Sequence, residues 1–149
     1  MTKQENLTKL GVSACLCGQN VRYDAGSCRS TQLPSHADWV AICPEVMGGL
    51  SIPREPAEIV GGDGHDVWQG KAKVLTQSGQ DVTAAFKHGA QLALQRLQDA
   101  CVDEVYLKSK SPSCGRQQIY DGSFTGCLTA GDGVTTALFK QHGITVHSL

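Results

Sequence analysis

Short apolar runs punctuate the chain, separated by stretches of different period. "LGVSACL" (10–16) is apolar and small throughout and reads as a buried strand. "DWVAIC" (38–43), "DEVYLK" (103–108) and "ITVHSL" (144–149) read as three more. Between the second and third runs the period lengthens. Val82, Ala85, Phe86, Gly89, Ala93, Leu97 and Ala100 step by three and four, which predicts a helix with one buried stripe and Asp81 as its cap. "GDGVTTALFKQHG" (131–143) predicts another helix, closed by Gly143 at C′.

The remaining segments carry turn chemistry. "GQNVRYDAGS" reads as a loop, and a short helix is expected from about Ser27. Residues 44–64, with three prolines and many glycines, read as a long loop. Residues 65–80 read as strand-like segments around turns, a hairpin. Strands alternating with helices predict βαβ units and a mainly parallel sheet, so an α/β fold. No internal repeat interrupts this order. The 149 residues suit a single domain spanning 1–149, in which the polar residues 1–8 are expected to be flexible.

Charge narrows the function classes. A formal net charge of -1 lacks the basic excess of an autonomous nucleic-acid binder. No apolar run is long enough to cross a bilayer, and the polar start lacks the apolar core of a secretion signal, so a cytoplasmic protein is expected. The oligomeric state is left open.

Seven cysteines change the picture: Cys15, Cys17, Cys28, Cys43, Cys101, Cys114 and Cys127. In a reducing compartment disulfides are rare, and an odd count argues against a fully paired framework. There is no C-x-x-C pair, which disfavours a zinc ribbon or a thioredoxin-type motif. Any single cysteine can equally be a small buried hydrophobe. Three of them share a position, however. Cys15 lies at the end of the first strand, Cys43 at the end of the second and Cys114 a few residues past the third. The carboxyl ends of strands in an open parallel sheet share one rim, and ligands bind in the crevice outside it.

Three converging thiolates have a particular chemistry. A structural zinc site wants four ligands and would need Cys17 or Cys28 to complete it. A [4Fe-4S] cluster normally takes four cysteines; on three, one iron keeps an open position that can bind sulfur or act as a Lewis acid. Glu45, two residues past Cys43, is a candidate for proton transfer there, or else a solvated loop carboxylate. In Ser111-Pro112-Ser113-Cys114-Gly115 the proline and glycine favour a tight turn, and two hydroxyls flank the path to the cysteine.

The motifs "SACLCG", "VRYDAG", "CPEVMGGLSIPREPAEI", "GQDVTAAFKHGA", "LKSKSPSCG", "IYDGSFTG" and "GDGVTTALF" occur in this order from about Gly11 to Val146, and together resemble those of the 2-thiouracil desulfidases. The resemblance implies a Rossmann-like, three-layer α/β domain. It implies a [4Fe-4S] cluster on Cys15, Cys43 and Cys114, with a fourth iron open to the sulfur of a small thiolated pyrimidine. It implies that Glu45 and Ser111 assist proton transfer in a hydrolysis without net redox change: thiouracil and water give uracil and sulfide. Where this chain has Cys17 the family pattern usually carries an apolar residue; Cys15 is kept as the ligand and Cys17 left open. Relatives with an added domain act on thiolated RNA nucleosides, which stands as an alternative. A non-enzymatic iron–sulfur or sulfide carrier is another.

Weaker candidates complete the reading. Arg22, Tyr23 and Ser113 are expected as substrate contacts. Arg54 is a candidate for holding a polar edge of the ring, or for pairing with Glu55 or Glu58. Cys28, Cys101 and Cys127 are expected as packing residues. Gly131-Asp132-Gly133 reads as a turn with a cap, and His36, His65, His88, His142 and His147 as surface residues.

Overall fold

The structure is a computed structural model describing residues 8–19, 22–24, 26, 30, 32–34 and 37–149. In chain order its elements are β1 (Thr8–Ser13), β2 (Ala37–Ile42), α1 (Pro44–Met47), β3 (Ala57–Val60), α2 (Gly64–Trp68), β4 (Lys73–Thr76), α3 (Thr83–Asp99), β5 (Glu104–Leu107), β6 (Gln118–Tyr120), β7 (Leu128–Ala130), α4 (Val134–Gln141) and β8 (Thr145–Ser148). A 3-10 turn, Ala14–Cys17, follows β1.

The four apolar runs form one parallel sheet in the order β2-β1-β5-β8, flanked by helices, as the alternation of strands and helices predicts. The order places a switch point at β1. The chain leaves β1 towards β2 on one side and returns to β5 on the other, so the carboxyl ends of these three strands enclose a crevice. Val105 and Leu107 on β5 point into the larger core, with Phe86, Ala90, Leu94 and Leu97 of α3 and Leu138 and Phe139 of α4. Tyr106, between them, joins Val12, Leu16 and Trp39 in a smaller cluster, as the two-residue period of a strand requires.

The local expectations fare unevenly. The first strand stops at Ser13, not at residue 16, because Ala14–Cys17 tighten into the 3-10 turn. Gly18, at φ 90°, closes that turn and donates its N–H to the Cys15 carbonyl at 3.1 Å. A uniformly apolar run carries no period, so strand and buried turn read alike. The expected loop 44–64 contains α1 and β3, and 65–80 opens with α2 rather than a strand. Asp63 and Asp66 form a capping box that nucleates α2, and the hairpin is β3 with β4, reaching around that helix. The β6–β7 hairpin gave no periodic signal because β7 is exposed throughout.

Asp81 does cap α3: its Oδ1 accepts the Thr83 N–H at 2.9 Å, although Val82 is the residue at the helix boundary. Gly143, at φ 74°, lies one residue past the α4 C-cap His142, as expected. The short helix expected near Ser27 and the expected flexibility of 1–8 fall outside the described residues, Thr8 apart, which opens β1.

One close approach sets up the site. A methyl group on Gly89 of α3 would meet the Pro44 carbonyl oxygen at 1.8 Å, and one on Gly48 would meet the Ala85 carbonyl oxygen at 2.1 Å. Only glycine at both positions lets α1 lie directly on the α3 backbone. The seating of α1 fixes the residues at its start, Cys43 and Glu45.

Candidate functional site

A cavity of about 490 Å³ opens at the carboxyl ends of β1, β2 and β5, within the size range of small-molecule sites. Cys15, Cys43 and Cys114 all line it, with Glu45, Ser111, Arg22, Tyr23 and Arg54. The structure thus gathers the three cysteines and most of the other candidates from five separate segments.

Each cysteine is positioned differently. Cys15 is buried in the 3-10 turn, and Cys17, on the same turn, is half-buried and absent from the cavity lining. Cys43 is the N-cap of α1, with Pro44 at the first helical position. Cys114 is buried in a turn braced from two sides. Its N–H donates to Ser111 Oγ at 2.7 Å, and the Gly115 N–H to the Ser111 carbonyl at 2.9 Å. From behind, the N–H groups of Val134 and Thr135 at the start of α4 donate to the carbonyls of Pro112 and Ser113, both at 2.8 Å. Thr136 Oγ1 donates to the Cys114 carbonyl at 2.9 Å. The free amides of a helix start are thereby spent on the cysteine loop.

Ser111 accepts the Cys114 amide through its hydroxyl oxygen, which leaves its own proton to donate. Ser113 does not meet the cavity, contrary to the expectation of a substrate contact. It is 1% exposed, and its Oγ lies 2.8 Å from Thr135 Oγ1 and accepts from Cys114 Sγ at 3.7 Å. The turn leaves Ser111, Pro112 and Cys114 on the cavity wall and sends Ser113 into the protein.

Glu45 is no solvated loop carboxylate. Arg54 holds it through Nε, at 2.9 Å, and through Nη2, both on the same oxygen, Oε2. The two side chains are 18% and 9% exposed. Arg54 therefore pairs with neither Glu55 nor Glu58, the partners closer in sequence. Its backbone N–H also donates to the Tyr23 carbonyl, tying residues 22–24 to this wall. The Arg22 guanidinium lies 5.9 Å from the Tyr23 ring centroid.

Burial pushes the Cys114 thiol up to about 12; the Ser113 hydroxyl opposes this, the charges of Glu45 and Cys43 add to it, and the Ser13 hydroxyl opposes it. Burial also raises Cys43, against the Val46 amide and with the Glu45 charge, while Arg54 pulls it down. A cavity that disfavours thiolates in this way suits a bound cationic metal group, which stabilises them. Among the described residues, no three His, Cys, Asp or Glu side chains are grouped so as to share one metal ion. A cluster would take each sulfur on a different iron.

Other expectations are corrected. Cys101 and Cys127 are exposed rather than packed, the first just past α3 and the second just before β7; Cys28 lies outside the described residues. The turn Gly131-Asp132-Gly133 does supply a cap, Gly133, and Asp132 within it is a buried hub. It meets Lys140 Nζ at 2.8 Å and His65 Nε2 at 2.9 Å, and accepts the Gln117 N–H at 2.9 Å. His65 is thus engaged, and His147 meets Glu104 Oε2 at 3.0 Å; His88 and His142 are exposed, and His36 is outside the described residues. Sequence reasoning missed Ser13, Glu58, Phe86, Lys108 and Tyr120, all on the cavity wall. Ser13 ends β1 and Lys108 follows β5, places the rim argument already marked; Glu58, Phe86 and Tyr120 offered no comparable signal.

An α/β domain with three cysteines and a half-buried carboxylate around one crevice has the outline of a small-molecule enzyme. The model of the 2-thiouracil desulfurase family matches residues 10–148, and the chain belongs to that family. It is 46% identical over 140 residues to the uncharacterized protein YbbK of Bacillus subtilis (strain 168), covering 92% of this chain and 93% of that one. It is also similar to the solved structure of the [4Fe-4S]-dependent thiouracil desulfidase TudS, at 44% identity and a TM-score of 0.78, covering 95% of this chain and 90% of that one.

Proposed function

We propose that the chain removes the sulfur of thiouracil by hydrolysis, without net electron transfer, at a [4Fe-4S] cluster held by Cys15, Cys43 and Cys114. The observation that carries this reading is the meeting of those three cysteines in one cavity with Glu45 and Ser111. The similarity to TudS supports it. When bound on three cysteines, such a cluster supplies an open iron, a Lewis acid with affinity for sulfur.

The balance is thiouracil plus water to uracil plus hydrogen sulfide, so two protons of water must be redistributed. Arg54 fixes Glu45 through Oε2, which leaves Oε1 unengaged by the guanidinium and able to take a proton from the attacking water. Ser111, its oxygen tied to the Cys114 amide, gives its hydroxyl proton to the departing sulfur and is reprotonated by Glu45, while the second proton of the water, left on the new ring oxygen, completes hydrogen sulfide. Pro44, Phe86 and Tyr120 give the cavity apolar wall against a flat ring, limiting water at the reacting carbon. The free base suits a chain of net charge -1.

The test is an anaerobic assay of the reconstituted protein with 2-thiouracil and 4-thiouracil, measuring uracil and sulfide together. Equal release of both, with no added reductant, is the expected result. A loaded protein that releases neither would leave the carrier role instead.

A further inference from the structure

Glu58 is an unexplained charge. It sits on β3 between Ala57 and Ile59, is 8% exposed, and lines the cavity. Its Oε1 accepts the N–H of Gly122 at 2.9 Å and of Phe124 at 3.2 Å, which pins the β6–β7 connection against β3. Both donors are uncharged backbone groups, and among the described residues Glu58 forms no salt bridge.

Pinning two amides needs only one oxygen, and a glutamine would supply it without the cost of burying a carboxylate. The second oxygen is what remains to be explained. No bond falls on Oε2, yet it is not a sealed, unsatisfied atom, since none occurs among the described residues. Oε2 is thus an unpaired acceptor with solvent access on a residue of the cavity wall. Two amides on Oε1 fix its direction before any ligand arrives.

We propose that Glu58 is a substrate-binding residue that accepts the ring N3–H of a uracil-type pyrimidine through Oε2. The proposal rests on the desulfuration reading and adds the substrate class to it. N3–H lies between C2 and C4, so one acceptor there serves a thiocarbonyl at either carbon. Cytosine-type rings carry a lone pair at N3 and meet the carboxylate with repulsion. Glu58 would thus select thiouracils over thiocytosines, because a site built to accept a hydrogen rejects a ring that lacks it.

The test uses anaerobically reconstituted protein and equilibrium binding of uracil and cytosine, with thermal midpoints and thiouracil turnover read in parallel. Glu58→Gln keeps a carbonyl oxygen for the Gly122 and Phe124 amides and turns its NH₂ towards the ligand. Its affinity ratio of uracil to cytosine should fall about 10–100-fold, the range of a hydrogen bond to a charged group, with the midpoint unchanged. KM for thiouracil should rise more than kcat falls. Glu58→Ala should lose both the selectivity and part of the thermal stability. A Glu58→Gln variant with the wild-type ratio overturns the proposal and leaves Glu58 as a brace for the hairpin. Wild-type protein that turns over thiouracil with no preference for uracil overturns it too, while desulfuration stands. Wild-type protein that binds no uracil and releases no sulfide removes both readings.

Discussion

Cys15, Cys43 and Cys114 on the rim of the sheet and Cys101 and Cys127 at the periphery are the same residue in opposite settings. The first three stand at or beyond the carboxyl ends of β1, β2 and β5 and share a cavity; two of them are fully buried. The others sit where α3 and the β6–β7 connection end, open to solvent. The protein spends backbone bonds on the first set: α4 turns its leading amides onto the Cys114 loop, and α1 is seated on α3 through two glycines. No comparable support surrounds the second. On the proposed function, position relative to the strand ends, not residue type, separates a ligand from a bystander.

Substitution gives the sharpest break. Cys43→Ala is expected to abolish cluster binding and turnover together, as are the equivalent changes at Cys15 and Cys114, whereas Cys101→Ser and Cys127→Ser should change neither. Iron content, visible absorbance and sulfide release after anaerobic reconstitution measure this; loss of the cluster in Cys101→Ser would dissolve the distinction. Glu45→Gln should keep the cluster and lower turnover by about 10²–10⁴-fold, the usual contribution of a positioned proton-transfer group. Full turnover in that variant removes Glu45 from the chemistry.

Smaller effects probe the support. Gly89→Ala drives a methyl group into the Pro44 carbonyl and should destabilise the fold by about 1–3 kcal/mol by chemical denaturation, with weaker iron retention because Cys43 moves with α1. In cluster-free protein near neutral pH, alkylation mapped by mass spectrometry should mark Cys101 and Cys127 first. Cys114 should react last, since it is buried and its thiol, pushed up to about 12, stays protonated.

Asp132 gives a test away from the cysteines themselves. Burial pushes its carboxyl up, but Lys140, the Gln117 amide and His65 outweigh that and hold it below 3.8. A depressed carboxyl stabilises the fold above its unfolded value and ceases to do so as pH falls through the folded one. Asp132→Asn should therefore cost about 1.5–3 kcal/mol at neutral pH, a gap that closes with acid below 3.8. A gap independent of pH would mean that its charge does nothing for the fold.

Much of this was legible in local pattern. The four strand runs, α3 with its stripe, and the end of α4 at Gly143 were readable from period and turn chemistry. The rim argument placed three cysteines together before any coordinate. Helices α1 and α2 were not legible, because four- and five-residue helices are too short to show a period. The pairing of Arg54 with Glu45, nine residues away, was missed in favour of two nearer carboxylates; proximity in sequence is a poor guide once a turn intervenes.

By itself the sequence determined which groups are present and near which strand ends they lie, because apolar runs and turn residues mark the elements along the chain. Only the tertiary structure decided where those groups face. It turned Ser111 into the cavity and Ser113 away from it, locked Glu45 onto Arg54, left Cys101 and Cys127 in solvent, and set Glu58 against the hairpin. Those outcomes depend on contacts that sequence spacing does not pair, from nine residues apart for Glu45 and Arg54 to 64 for Glu58 and Gly122. Packing and hydrogen-bond satisfaction choose among them when the segments meet.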